Sequence, residues 1–349
     1  MLFDELIISP QSVCRRIMAT RISETVFHRI SDSGGGGEVV SIFNGAFNIK
    51  TFDGFLVHLA IDEKPLTPRS VLFQKKDFWA AGVDHIRAGM NVLFHNQYIF
   101  IPDIRLQICA ESAVKFNPRF TLNAKIIPHF QIMKNLLVAL KWIEDEIRQE
   151  QITRISPLSG YFLSKLQSNP NISCQNEKSQ RPNQVFPLME KWKNNLWDCI
   201  DSLLCNLESR CIEKIQNSVL KILGNGPGLT PSGDDFLAGF IVTGVVFGRL
   251  FNRIDELIDT VVQIVYSAFV GRTTDVSGAM IEDACNGQVS EPVEDLMQSI
   301  LTGDTVDRIV LFARKIHSIG AYSGEDLLNG LATGICFWGQ MAGPKTALS

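Results

Sequence analysis

The chain has 349 residues, enough for two domains or one large one, with 33 Lys and Arg against 37 Asp and Glu. No basic block or stripe runs along the sequence, so nucleic acid is excluded as an expected partner. The eight cysteines form no C-x-x-C pair, the start lacks a basic signal-peptide head, and the most apolar run, residues 236–247, is too short for a bilayer. These features together predict a cytoplasmic protein without a membrane span.

The first part of the chain, from about Val39 to Phe116, is predicted to be rich in β-strands. Short apolar runs at residues 39–43, 55–59 and 98–101 are separated by turn residues. The glycine run Gly34–Gly37 is predicted to be a flexible loop without chemistry, because no helical pattern follows it. We therefore expect a β-rich N-terminal domain over residues 1–130.

Helical spacing begins after Pro128 and continues to the end of the chain. Apolar residues recur three or four apart at Ile132, Leu136 and Leu140. A polar segment at residues 168–183 has few apolar anchors and is predicted to be a loop. The sequence thus predicts an α+β chain whose β-rich N-terminal domain is followed by a mainly helical C-terminal domain, residues 131–349. The later helices are predicted at residues 188–207, 210–223, 233–250, 254–270, 275–286, 293–301, 305–316 and 324–338.

Two copies of one short pattern stand out in the helical part. They are Ser232-Gly-Asp-Asp-Phe-Leu-Ala-Gly239 and, 91 positions later, Ser323-Gly-Glu-Asp-Leu-Leu-Asn-Gly330. Each is typical of a helix start, where Ser-x-x-Asp forms a capping box that pairs Ser232 with Asp235 and Ser323 with Asp326. Such a cap stabilises a helix by about 1 kcal/mol, which is a purely structural role. The first copy follows a glycine- and proline-rich stretch at residues 224–231, which favours a ligand site there.

The first helix start offers donors and carboxylates together. Exposed N–H groups and the positive helix end favour phosphate or carboxylate, and the hydroxyls of Thr230 and Ser232 are further donors. Asp234 and Asp235 already bring negative charge, so an anionic ligand would need Mg²⁺ between them or a cationic side chain such as Arg272 or Lys221. Alternatively, one aspartate accepts hydrogen bonds from an amide or amino group. The sequence leaves these alternatives open.

A third segment, Gly271-Arg-Thr-Thr-Asp-Val-Ser277, opens another helix with hydroxyls and one arginine. One interpretation of this segment is a purely structural N-cap. The other is a binding site in which Arg272 binds carboxylate or phosphate. We predict that the helix starts at residues 228–235, 272–277 and 322–326 converge on one pocket. The candidate catalytic residues are Asp234 and Asp235, and the candidate substrate-binding residues are Gly226, Gly228, Thr230, Ser232, Gly233, Arg272, Thr273, Thr274, Ser323, Gly324 and Asp326.

Other common site patterns are missing from the sequence. The six histidines show no H-x-x-H or H-E-x-x-H spacing, so no zinc site is expected and no metal ligand is assigned. There is no G-x-S-x-G elbow, no phosphate-binding G-x-x-x-x-G-K-[ST] loop and no G-x-G-x-x-G after a strand. The usual support for hydrolase, NTPase and dehydrogenase functions is therefore lacking.

The string Gly226-Pro-Gly-Leu-Thr-Pro-Ser-Gly-Asp-Asp-Phe-Leu-Ala-Gly239 resembles the AllH-like family. Residues 41–48, Thr273-Thr274 with Ser277, and residues 319–326 resemble further motifs of that family. The resemblance implies a subunit of an oxamate carbamoyltransferase, which converts oxalurate and phosphate to oxamate and carbamoyl phosphate in purine and allantoin breakdown. It also implies two other subunits, one of them similar to acyl-CoA synthetases.

The ordinary carbamoyltransferase signatures, S-T-R-T-R and H-P-x-Q, are both missing. Carbamoyl chemistry would therefore use a different site, with N–H groups around residues 228–233 stabilising an oxyanion and hydroxyls orienting phosphate. One alternative is a ligand-binding or assembly subunit whose catalytic residues lie in a partner. Another is a ribokinase-like small-molecule kinase, because residues 232–239 are similar to the G-A-G-D-x-F-x-x-G stretch of those enzymes. That kinase fold needs alternating strands and helices before the motif.

Overall fold

The computed structural model describes residues 15–31, 35–122, 124–149, 156–168, 187–251 and 255–342. The chain divides into two compact units, residues 1–118 and 119–349, and the described strands all lie in the first. The predicted α+β class, β-rich and then helical, is confirmed. The domain boundary at residue 130 remains a prediction. The polar loop predicted at residues 168–183 lies outside the described residues, except for Ser168 at the end of a helix.

The described part of the first unit contains one ten-stranded mixed sheet. Its strands are β1 (Arg15–Met18), β2 (Arg21–Ser23), β3 (Gly36–Phe43), β4 (Ala46–Thr51), β5 (Leu56–Ile61), β6 (Ser70–Phe73), β7 (Asn91–His95), β8 (Tyr98–Ile101), β9 (Leu106–Cys109) and β10 (Val114–Phe116). The spatial order is β1-β9-β8-β7-β3-β4-β5-β6-β2-β10. Strands β1 and β9, β5 and β6, and β2 and β10 pair in parallel, whereas the other neighbours are antiparallel.

Two helices of this unit, α1 (Glu24–Ser31) and α2 (Lys75–Ala80), contribute to its core. Helix α1 buries Val26, Phe27 and Ile30, whose spacing places them on one face. These side chains join the buried β-branched and aromatic residues of the strands in one apolar cluster. The short apolar runs are thus explained by strands that contribute side chains to this buried cluster.

The loop predicted at Gly34–Gly37 is wrong for its second half, because Gly36 and Gly37 begin β3. A Cβ atom on Gly37 would lie 2.3 Å from the carbonyl oxygen of Lys50 on β4. The glycine therefore allows close contact between these two antiparallel strands. Its small size serves strand pairing rather than chain flexibility.

A polar chain of hydrogen bonds crosses β3, β4 and β5. Nδ2 of Asn48 donates to the Ser41 hydroxyl at 2.9 Å, and the side-chain oxygen Oδ1 of Asn48 lies 2.7 Å from Nδ1 of His58. Burial lowers the pKa of His58 to about 4, and the positive charge of Lys64 adds to the effect. His58 is therefore neutral at pH 7 and donates from Nδ1 to Asn48.

The described part of the second unit is helical. Its helices are α3 (His129–Gln149), α4 (Tyr161–Ser168), α5 (Pro187–Glu208), α6 (Ile212–Ile222), α7 (Ser232–Phe251), α8 (Asp255–Ala268), α9 (Asp275–Cys285), α10 (Glu291–Thr302), α11 (Val306–His317) and α12 (Ser323–Ala342). The helices predicted from residue 188 onwards are confirmed to within four residues at each end. Among the described helices, none combines the length and apolarity that crossing a bilayer requires.

Helices α7 and α12 pack against each other through small residues. A Cβ atom on Gly239 would lie 2.5 Å from the carbonyl oxygen of Leu327, and one on Gly330 would lie 2.2 Å from that of Phe236. Further along, Gly334 contacts Thr243. The contacts advance in the same direction on both helices, so α7 and α12 run parallel with their starts side by side. The small residues that recur in both copies of the repeated pattern permit this approach.

Candidate functional site at three helix starts

The loop before α7 passes very close to the helix start. Three of its glycines, Gly224, Gly226 and Gly228, have φ angles of 71°, 128° and 101°. A Cβ atom on Gly226 would lie 2.5 Å from the backbone nitrogen of Ser232, and one on Gly233 would lie 2.1 Å from a carbonyl oxygen at the end of α6. Only glycine allows these approaches, which explains the composition of the loop. Gly228 lies exposed near the tip.

Asp234 connects this loop to the start of α9 by hydrogen bonds. Its Oδ1 accepts from the Gly224 backbone N–H at 2.7 Å, and its Oδ2 accepts from the Thr273 hydroxyl just before α9. Burial raises the pKa of Asp234, and these two hydrogen bonds oppose the rise. Both carboxylate oxygens are thus engaged, which gives Asp234 a role in holding two helix starts together.

Hydroxyls from all three helix starts meet in a half-buried layer. The hydroxyl oxygens of Thr230 and Ser323 lie 2.6 Å apart, joining the starts of α7 and α12. The Thr274 hydroxyl donates to the Leu229 carbonyl oxygen at 2.5 Å and accepts from the Ser277 backbone N–H at 3.1 Å. Thr274 is thus the N-cap of α9, as its segment predicts.

Asp235 and Asp326 lie deeper, at matching positions of the two copies of the pattern. Asp235 is 1% exposed and Asp326 is 0% exposed. Burial raises the pKa of Asp326 to about 7. Burial also raises the pKa of Asp235 well above its usual range, and the negative charge of Asp326 adds to that rise. The two carboxylates therefore lie within electrostatic reach of each other.

The serine of each copy faces the aspartate of the other copy. The Ser323 hydroxyl lowers the pKa of Asp235, and the Ser232 hydroxyl lowers that of Asp326. The predicted capping boxes, Ser232 with Asp235 and Ser323 with Asp326, are therefore wrong. Because α7 and α12 start side by side, each serine acts on the aspartate of the neighbouring helix.

Several buried oxygen atoms have no hydrogen-bond partner of good geometry in the described part of the chain. Those at the three helix starts are Oδ1 and Oδ2 of Asp235, Oδ2 of Asp326 and the hydroxyls of Ser232 and Ser277. Neighbouring hydroxyls lie close enough to lower the pKa values of these aspartates. These contacts do not meet the combined distance and angle that a hydrogen bond requires. Unsatisfied buried oxygen atoms are uncommon, and carboxylate oxygens are especially costly to leave unpaired.

Sequence reasoning missed Ser156, which lies between α3 and α4. Its hydroxyl donates to Oδ1 of Asp326, 170 residues away in the chain, and accepts from the Leu158 backbone N–H at 2.9 Å. Ser156 is almost fully buried. A single serine before a proline carries no local signal of such a role.

Arg272 contributes to the site through its backbone and not through its charged side chain. Its N–H donates to the Phe269 carbonyl oxygen at 3.0 Å, and its own carbonyl oxygen lies 2.5 Å from where a Cβ on Gly224 would be. Its side chain is exposed, as is that of Lys221. Within the described ranges, neither side chain forms an ion pair with an aspartate of the three helix starts.

The structure thus brings the predicted helix starts together. We call the joined side chains the helix-start cluster, which consists of Thr230, Ser232, Asp234, Asp235, Thr273, Ser277, Ser323 and Asp326. Gly324 supports it as Gly233 does, because a Cβ atom there would lie 1.9 Å from the Ile316 carbonyl oxygen. No group of three or more His, Cys, Asp or Glu side chains placed to hold a metal occurs among the described residues.

Comparison with known proteins gives matches to two models of one family. The model described as oxamate carbamoyltransferase subunit AllH matches residues 222–335, and the AllH family N-terminal domain matches residues 17–115. Neither a curated protein nor a solved structure matches the chain. The first match contains the starts of α7, α9 and α12, and the second spans nearly the whole sheet. The chain belongs to the AllH family.

Proposed function

We propose that the chain is a subunit of an oxamate carbamoyltransferase complex and that the helix-start cluster binds a small anionic substrate of that reaction. The reaction converts oxalurate and phosphate to oxamate and carbamoyl phosphate, as part of purine and allantoin catabolism. The observation that carries the proposal is that the matched segment, residues 222–335, contains the whole helix-start cluster. The family match and the geometry of the helix-start cluster therefore both support the proposal.

Three helix starts at one place suit an anion. Each start carries a partial positive charge, and α7 and α12 place two of them side by side. The Gly233 and Asp234 N–H groups already donate to backbone carbonyl oxygens, so we assign the substrate to the N–H groups of residues 228–230 and of Ser232. The half-buried hydroxyls of Thr230 and Ser323 are further donors at the same level. We assign phosphate or the substrate carboxylate to this outer layer. The N–H groups of residues 228–230 and of Ser232 would stabilise the oxyanion that forms when phosphate attacks the carbamoyl carbon.

The aspartates take different parts in this proposal. Both oxygens of Asp234 accept hydrogen bonds, so Asp234 is a positioning residue that holds α7 against α9. Asp235 keeps both oxygens without a hydrogen-bond partner among the described residues. These oxygens are available to a group that arrives with the substrate. Asp235 and not Asp234 is then the residue whose substitution changes turnover.

The proposed complex contains two other subunits, one of them similar to acyl-CoA synthetases. We place it in the cytoplasm, because the cysteines within the described residues are all free thiols, in keeping with a reducing compartment. A ligand-binding or assembly subunit remains the competing proposal, since its catalytic residues would lie in a partner. The ribokinase-like alternative loses support, because the described elements from α3 to α6 that precede the motif are helices without intervening strands.

The test uses the complex assembled from all its subunits. Carbamoyl phosphate formed from oxalurate and phosphate is measured with the native chain, with Asp235→Asn and with Asp307→Asn as control. Asp307 is an exposed acidic residue in the first turn of α11. Like Asp235 it lies in the first turn of a helix, but it is outside the helix-start cluster. Loss of turnover in Asp235→Asn alone, with the complex intact, supports the proposal. Unchanged turnover with weaker substrate binding would favour the ligand-binding role.

A further inference from the structure

Full ionisation of its aspartates would give the helix-start cluster more negative charge than the described side chains compensate. Asp234, Asp235 and Asp326 are each at most 1% exposed. No lysine or arginine in the described ranges forms an ion pair with any of them. Three helix starts together supply a partial charge of roughly +1.5, against −3 for three ionised carboxylates. Ionisation of all three carboxyl groups would thus leave a negative surplus, and an anionic substrate would increase it.

The unpaired oxygen atoms gather where α7 and α12 meet. Asp235 and Asp326 occupy equivalent positions of the two parallel helices, and Ser232 faces Asp326 across their junction. Oδ1 and Oδ2 of Asp235, Oδ2 of Asp326 and the Ser232 hydroxyl all lack hydrogen-bond partners in the described structure. Buried oxygen atoms without hydrogen-bond partners, contributed by two carboxylates and a hydroxyl at one helix junction, can serve as ligands of a bound ion.

We infer that Asp235 and Asp326 bind one hard divalent cation, Mg²⁺ or Mn²⁺, with the Ser232 hydroxyl as a further oxygen ligand. The donor atoms are all oxygen, which suits these ions and not the softer metals that prefer imidazole or thiolate. Mg²⁺ commonly takes only one or two protein carboxylates and fills its other positions with water and substrate oxygens. The pair therefore suffices without a third acidic ligand.

The position of Asp235 and Asp326 explains how such a cation would act. Thr230 and Ser323 form the half-buried layer above, and Asp235 and Asp326 lie beneath it. A cation held by the two carboxylates would face an anion bound by the hydroxyls and helix starts. The cation would supply the positive charge that is otherwise missing, because Arg272 and Lys221 form no ion pair with these aspartates. This bridging role rests on the proposed function, whereas binding of the cation alone does not.

Binding of Mn²⁺ alone to the metal-stripped, full-length chain tests the site. Electron paramagnetic resonance measures free Mn²⁺ during the titration. We expect one bound Mn²⁺ per chain, which Mg²⁺ displaces, and at least about ten-fold weaker binding in Asp235→Asn and in Asp326→Asn. The control Asp307→Asn should bind as the native chain does. No bound Mn²⁺ in the native chain, or native affinity in both variants, would overturn the inference.

Folding of the variants is checked separately, because Asn at a buried position changes packing little but removes a charge. Circular dichroism in the absence of metal should show native helix content. Ser232→Ala offers a milder second variant, in which a few-fold loss of Mn²⁺ affinity is expected because the carboxylates remain.

The assembled complex separates this inference from the proposed function. Mn²⁺ binding without turnover of oxalurate would keep the cation site and end the proposed function. Turnover that persists after chelation of all divalent metal would keep the function and end the bridging role of the cation, while the Mn²⁺ titration alone decides whether the site exists.

Discussion

The hydroxyl oxygens of Thr230 and Ser323 lie 2.6 Å apart, although 93 residues separate them in the chain. Each hydroxyl stands beside the start of a different helix, so the contact exists only while α7 and α12 pack against each other. That packing depends on Gly239 and Gly330, well inside the two helices. The geometry of the site is therefore set about two helical turns away from it.

The substitution Gly330→Ala tests this dependence. Helix propensity alone predicts that alanine stabilises the chain by about 1 kcal/mol. We expect the opposite, a loss of about 1–3 kcal/mol, because the new Cβ would lie 2.2 Å from the Phe236 carbonyl oxygen and must displace a backbone. Urea unfolding measures the free energy of unfolding. A more stable variant would show that the helices do not need this close contact.

The link between α7 and α9 gives a second prediction. Thr273→Val removes the hydroxyl that donates to Asp234 and leaves a buried carboxylate oxygen unpaired. We expect a loss of about 1–3 kcal/mol in the free energy of unfolding. Thr260→Val is the matched control, since its hydroxyl donates only to a carbonyl oxygen of its own helix, and it should change stability by less than about 0.5 kcal/mol. Equal effects in both variants would contradict a structural role for Asp234.

The sequence predicts the helix starts well because their signals are local. Serine, glycine and aspartate at fixed offsets mark the starts of α7 and α12, and glycines mark the close approach of the loop. Apolar spacing likewise predicts most helices of the second unit. The class of the first unit follows from its short apolar runs, yet the order of its strands depends on pairings between distant residues such as Arg15 and Leu106.

What the sequence does not predict depends on contacts across the chain. Ser232 and Ser323 fit local capping boxes, but the Ser323 hydroxyl pairs with Thr230, and the Ser232 hydroxyl has no hydrogen-bond partner among the described residues. Asp234 and Asp235 are adjacent and chemically identical, and only the positions of Gly224 and Thr273 distinguish the satisfied carboxylate from the unpaired one. Ser156 carries no motif. Such roles follow from packing, which a single sequence does not contain.

His58 gives a prediction for pH dependence in the first unit. Its pKa is about 4 in the folded chain and about 6.5 when unfolded, so the unfolded state binds more protons between these values. Stability should therefore fall as the pH falls from 6.5 to 4, by up to about 3 kcal/mol from this group. His58→Gln, which keeps a donor for Asn48, should be less sensitive to pH over this range.

Thermal or urea unfolding at several pH values measures the difference between His58→Gln and the native chain. The comparison with a variant removes the contribution of carboxyl groups that titrate in the same range. His28→Gln is the matched control, because it makes the same substitution at an exposed position. A slope in His58→Gln that equals the native slope would mean that His58 is not held neutral by burial.

Ligand-induced stabilisation of the isolated chain tests the outer layer of the site. A ligand at one hundred times its dissociation constant raises the free energy of unfolding by about 2.7 kcal/mol. We expect oxamate or carbamoyl phosphate to raise it, and to do so more in the presence of Mg²⁺, because the cation offsets the charge of Asp235 and Asp326. The double variant Thr230→Val with Ser323→Ala should lose most of this effect at the same ligand concentration.

The two hydroxyls form one hydrogen-bonded pair, so their single substitutions should not be additive. Thr230→Val alone should weaken the ligand effect nearly as much as the double variant does, because it also removes the partner that orients Ser323. Thr260→Val serves again as the control. A double variant that responds like the native chain would place the ligand elsewhere. Additive single effects would instead mean that each hydroxyl contacts the ligand independently, without the shared orientation that the parallel starts of α7 and α12 impose.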